Sequence, residues 1–194
     1  MHAVAAVVIG YLLGTIPTAV VVARLASGGT VDIRTAGSGN PGALNTLGVL
    51  GKKWGLVVLL VDFGKAALAC VIGWNVSPDL ACYAGSAAVV GHCLPIWSRG
   101  RGGKGIACAG GQCLATFPVF APVAVAVAVL SSRQSESRAF LAGIGSALVW
   151  VVAAIIWTVA DLPNAWGVQP GAALIISAVI SGAVIVYKFE AARR

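Results

Sequence analysis

Two stretches carry the residue types that chemistry needs. Residues 37–45, GSGNPGALN, set Ser38, Asn40 and Asn45 among three glycines and a proline. Glycine lets the backbone turn and expose N–H groups, and Ser38, Asn40 and Asn45 add neutral donors around Gly39. Such a surface suits an anion, especially beside a helix N-terminus. It equally describes a membrane-surface turn whose Ser and Asn cap helices. Residues 91–105, GHCLPIWSRGRGGKG, are more specific, because Arg99, Arg101 and Lys104 alternate with Gly100, Gly102, Gly103 and Gly105. Mobile backbone donors joined to fixed positive charge point to phosphate. A nucleotide P-loop does not fit: no Ser or Thr follows Lys104, and no strand precedes the stretch. The competing reading is a basic loop that only sets membrane orientation.

Other reactive types are sparse. Asp62 and Lys65 lie three residues apart within an apolar run, so they share a helix face. Pairing is the cheapest way to keep both in lipid, which predicts a structural ion pair, with a polar path as the alternative. His92 reads as a helix-end residue bonded to nearby backbone, ahead of a role as a base. Six carboxylates are scattered and the two histidines are far apart, so no metal cluster is expected. Five cysteines, an odd number with no C-x-x-C pair, lie mostly in apolar runs and imply neither disulfides nor metal.

The elements that must position these residues are membrane helices. Hydrophobic residues make up 59% of the 194-residue chain and charged ones 10%, against about 25% charged in soluble domains. Mean hydropathy is +0.94. The apolar runs are continuous rather than alternating, which selects helices over a barrel. Spans are expected over 3–26, kinked at Pro17, and over 54–74, 80–97, 140–160 and 171–187, with a polar loop at 27–53. The N-terminal run lacks the positive start of a secretory signal and reads as an uncleaved span.

Residues 106–130 are long enough to cross once, but Pro118 and Pro122 interrupt them and Gly110–Gly111 weaken the first half. A single crossing would strand the basic residues of SSRQSESR and KFEAARR outside. Two half-length helices that dip in and return put every loop Lys and Arg on one side. The expected fold is therefore all-α: one integral-membrane domain, 1–194, a polytopic bundle of about five full spans plus two membrane-dipping helices. Its N-terminus lies outside and its C-terminus in the cytoplasm. The +7 charge marks that cytoplasmic face rather than nucleic-acid binding. Both glycine-rich stretches fall there.

Together, GSGNPGALNTLGVLGKK and GHCLPIWSRGRGGKG, with Asp62 and Lys65 between them, resemble the bacterial integral-membrane glycerol-3-phosphate acyltransferases that use acyl phosphate. The likeness covers the first two-thirds of the chain in order and spacing. It implies a multi-pass protein of the bacterial cell membrane that moves an acyl group from acyl phosphate to the 1-hydroxyl of glycerol 3-phosphate. The product would be lysophosphatidic acid, the first acylated intermediate of phospholipid synthesis. It implies no cofactor and no metal. Ser38, Asn40 and Lys104 would be catalytic, and Gly39, Asn45, His92, Arg101, Gly102 and Gly103 would shape the site and bind phosphate. The chain departs from the family pattern in carrying Gly48 where an Arg is usual and Leu44 where a Thr is usual. In the C-terminal motif, Phe189 and Ala192 stand where a His and an Asn are usual. A non-catalytic relative that binds phosphorylated lipid precursors is the alternative, and a small transporter a more distant one.

Overall fold

The computed structural model describes residues 1–124, 126 and 136–192. Among them the chain is helical, with no strand. The helices are α1 (His2–Gly14), α2 (Thr18–Ala26), α3 (Ala43–Leu50), α4 (Lys52–Trp74), α5 (Pro78–Cys93), α6 (Ile106–Thr116), α7 (Glu136–Val159) and α8 (Ala172–Ala191). Single 3-10 turns at Ile96–Ser98 and Pro118–Phe120 follow α5 and α6. Four stretches are long and apolar enough to span a bilayer: His2–Ala26, α4, Pro78–Ser98 and α8. Ile106–Thr116 and the apolar part of α7, Gly143–Val159, are shorter.

The bundle is organised around α5, which packs on α1, α4, α6 and α8. Lipid tails are as apolar as the helices, so association depends on close approach rather than on water exclusion. Small residues provide it. Gly10 and Gly14 of α1 lie against the backbones of Ala84 and Ala88, one turn apart on α5, where any side chain would overlap their carbonyl oxygens. Gly91 meets the Tyr11 carbonyl in the same way. A buried polar knot adds direction. Gln112 Nε2 on α6 donates to Ser86 Oγ on α5 (3.0 Å), and Ser181 Oγ on α8 donates to Gln112 Oε1 (2.7 Å). Ser86 Oγ in turn donates to the Ser177 carbonyl (3.1 Å).

Two helices break where proline dictates. Pro17 has no N–H to continue the ladder, so the first span stops at Gly14 and restarts at Thr18. Thr15 closes the break, its Oγ1 donating to the Leu12 carbonyl (2.7 Å) and accepting from Trp97 Nε1 (2.9 Å). The expected interruption of 106–130 falls at Phe117–Pro118, after which helix resumes over 121–124. The rest of the expected second half-helix, and the loop after it, lie outside the described residues. Eleven residues make α6 about 16 Å long, half of the about 30 Å apolar core. Its last carbonyls would otherwise be orphaned. The connection between α7 and α8 supplies donors: Asn164 Nδ2 to the Thr116 carbonyl (2.9 Å) and Trp166 Nε1 to that of Leu114 (2.9 Å).

One expectation needs correction. Residues 27–53 are not wholly a loop, because α3 occupies Ala43–Leu50. After the Pro41–Gly42 turn, this short apolar run lies along the start of α4, with Leu47 seated against Gly55.

Candidate active site between two glycine-rich turns

Each glycine-rich stretch runs into a helix N-terminus: 37–42 into α3 and 100–105 into α6, with Gly42 and Gly105 at the N-cap positions. Unbonded N–H groups and the helix dipole make both ends receptive to an anion. In the first stretch Asn45 is the organiser. Its Nδ2 donates to the carbonyls of Ile33 and Ala36 (both 3.0 Å), and its Oδ1 accepts from the Ser38 amide (2.9 Å). Gly37 and Gly39 have φ of 59° and 71°, in the left-handed region that a turn this tight requires. Ser38 is left exposed, its Oγ 3.5 Å from the Asn40 amide. Just upstream, Arg34 Nη2 lies 2.8 Å from Asp32 Oδ2 and holds that carboxyl down at about 2, so the pair is ionised at any working pH.

The second stretch folds back under the end of α5. The Gly100 amide donates to the Pro95 carbonyl (3.0 Å) and that of Gly102 to the Cys93 carbonyl (3.2 Å). The Gly102 amide is thus engaged by the turn itself. The amides of Gly103, Lys104 and Gly105 have no acceptor among the described residues. Arg101 is exposed and Lys104 partly so.

The two stretches meet at Gly103. A methyl group there would overlap His92 Nε2 and lie 3.0 Å from the Pro41 carbonyl oxygen. Only a hydrogen fits between the histidine and the first turn. No hydrogen bond joins Ser38 to Lys104 among the described residues.

The C-terminal helix closes the other side. Lys104 Nζ sits 4.6 Å from the centroid of the buried Phe189 ring, in cation–π geometry. Lys188 Nζ donates to the Gly100 carbonyl (3.2 Å). Position 48 is exposed, on α3, with open space around it.

Beneath the turns, Lys65 Nζ is 2.9 Å from Asp62 Oδ1, as the spacing predicts. His92 departs from expectation: its Nδ1 meets Lys65 Nζ at 3.0 Å rather than backbone. Sequence separation also hid a potential ligand set, since atoms of Asp62, His92 and Cys108 lie within 4.8 Å of one another. The Lys65 ammonium contacts two of the three, Asp62 Oδ1 at 2.9 Å and His92 Nδ1 at 3.0 Å. All five cysteines are free and buried.

Helical bundle and convergent turns together define an integral-membrane helical protein whose two glycine-rich stretches meet. The chain belongs to the glycerol-3-phosphate acyltransferase family, whose profile matches residues 4–194. A Pseudomonas aeruginosa protein named glycerol-3-phosphate acyltransferase is 35% identical over 182 residues, covering 92% of this chain and 87% of that one. One of the same name from Exiguobacterium sibiricum is 47% identical over 113 residues, but the match covers 58% of this chain and 54% of the relative, about half its length. The crystal structure of an integral membrane glycerol 3-phosphate acyltransferase, in its glycerol 3-phosphate form, superposes with a TM-score of 0.66 at 31% identity. That superposition covers 98% of this chain and 90% of the other.

Proposed function

We propose that the protein transfers an acyl group from acyl phosphate to the 1-hydroxyl of glycerol 3-phosphate, giving lysophosphatidic acid. The observation that carries this reading is the meeting of the two turns at Gly103, between His92 and Pro41. It makes one site of two segments about sixty residues apart. Family membership, and likeness to structures titled as the glycerol 3-phosphate and lysophosphatidic acid forms of such an enzyme, support it.

Acyl phosphate is a mixed anhydride, so attack of the 1-hydroxyl on its carbonyl carbon forms the ester while the C–O bond to phosphate breaks. The departing phosphate can take the hydroxyl proton, which removes the need for a covalent enzyme intermediate. What the protein must supply is alignment and charge. Lys104 and the amides of Gly103 and Gly105, at the N-terminus of α6, hold phosphate, with Arg101 at the rim. Ser38 stands at the reacting centre with Asn40 beside it, and Asn45 fixes the turn that presents them. The acyl chain lies among the helices. The distribution of Lys and Arg supports a site at the cytoplasmic surface of the cell membrane, with the N-terminus outside and the C-terminus inside.

The test is turnover. Purified protein in lipid, given acyl phosphate and glycerol 3-phosphate, should form lysophosphatidic acid. Saturable binding of glycerol 3-phosphate without product would instead identify a non-catalytic binder. Phe189 in place of a hydrogen-bonding side chain is the feature that favours that outcome.

A further inference from the structure

Lys65 lies at the centre of a buried junction that the acyl-transfer scheme leaves unused. Its ammonium has three protons and no lone pair, and three acceptors surround it. These are Asp62 Oδ1 at 2.9 Å, the Ile16 carbonyl at 3.1 Å and His92 Nδ1 at 3.0 Å. The Ile16 carbonyl stands at the α1–α2 break, where it also accepts from the Thr18 amide (2.9 Å). Three elements are therefore tied to one side chain that is 5% exposed.

The third contact has a chemical consequence. An ammonium only donates, so this contact, as a hydrogen bond, requires Nδ1 of His92 to accept and to carry no proton. The ring hydrogen is then on Nε2, the nitrogen that abuts Gly103. Asp62 Oδ1 also stands 3.5 Å from Nδ1. Without Lys65 in between, that carboxylate would draw a proton onto Nδ1 and leave Nε2 bare or the ring charged.

We propose that Lys65 is a positioning residue for acyl transfer. It holds His92 as the Nε2–H tautomer and so keeps a neutral hydrogen-bond donor beneath the Gly103 turn, where substrate phosphate is taken. The proposal rests on the phosphate-binding reading of that turn. Lys65 itself touches no substrate; it sets which His92 nitrogen donates, as a carboxylate or carbonyl sets the tautomer of a metal-bound histidine.

The experiment reads the tautomer directly, by 15N NMR of histidine-labelled protein in lipid. His2→Ala removes the other histidine of the chain. The expected spectrum shows a protonated Nε2 and an unprotonated Nδ1, retained in Lys65→Arg and replaced by an Nδ1–H signal in Lys65→Met. Lys65→Met should raise the KM for glycerol 3-phosphate about tenfold, the worth of one hydrogen bond to a charged ligand, with Lys65→Arg restoring most of it. Should Lys65→Met not fold, histidine surrogates give the same answer. Gln at 92 brings an amide nitrogen near the Nε2 position and Asn near Nδ1, so His92→Gln should retain more affinity than His92→Asn. An Nδ1–H signal in the parent protein, an unchanged tautomer in Lys65→Met, or Asn outperforming Gln would overturn the proposal. A protein with the Lys65-dependent Nε2–H signal but no lysophosphatidic acid formation would leave the lock standing and remove the acyl-transfer reading.

Discussion

Ser38 and Lys104 carry different burdens, and their variants should fail differently. Ser38→Ala should abolish lysophosphatidic acid formation with little change in glycerol 3-phosphate binding, because the proposed scheme puts its hydroxyl at the reacting centre. Lys104→Ala should weaken binding as well, since it removes the fixed charge at the N-terminus of α6. Phe189→Leu keeps the apolar volume but removes the ring face under Lys104. A cation–π contact is worth about 0.5–1 kcal/mol at such sites, so affinity should fall about two- to fivefold by isothermal titration. Asn45→Ala removes three hydrogen bonds that hold the first turn. At about 1–3 kcal/mol for each buried group left unsatisfied, it should lower thermal stability and activity together. Residue types made the candidate visible in sequence: glycines mixed with lysine and arginine point to phosphate, with an orientation-setting basic loop as the competing use. The His92–Lys65 contact was not readable, because 27 residues separate them and only the packing of α4 on α5 joins them.

Among the elements, the broken ones are the informative ones. Pro17 and Pro118 announced both breaks, since a missing N–H is a local property that packing cannot restore. What relieves each break was partly hidden: Thr15 and Thr18 act locally at the first, but Lys65, Asn164 and Trp166 come from distant parts of the chain. Helix α3 was equally hidden: eight residues are too few to show a period, and its place is set by packing on α4. The half-length α6 aims its N-terminus at the site only while its other end is capped. Asn164→Ala should therefore lower thermal stability by about 1–3 kcal/mol and blunt activity without touching the site. Gly14→Leu is expected to be more severe. It places four carbons where the Ala88 backbone lies, and should separate α1 from α5, read as loss of a monodisperse protein in detergent.

At the scale of the whole molecule, the proposed orientation rests on charge distribution. The proposal puts Asn75, in the turn between α4 and α5, outside, and Arg99, beside the second glycine-rich turn, inside. The native cysteines are buried and give little background. Asn75→Cys should react with an impermeant maleimide added to intact cells, and Arg99→Cys only after the membrane is opened; the reverse pattern would invert the proposed topology. The same asymmetry of lysine and arginine made the common location of the two turns legible before any coordinates, whereas their contact at Gly103 depends on how α5 ends and the chain reverses. The joint grip of those turns on one phosphate is what the account most depends on. Its most direct test is equilibrium binding of glycerol 3-phosphate to the lipid-reconstituted protein carrying Gly39→Val, Lys104→Ala or both. One shared cradle predicts that each single change weakens binding about tenfold or more and that the double variant is far from additive. Unchanged affinity in either single variant, or two independent losses that simply add, would contradict it.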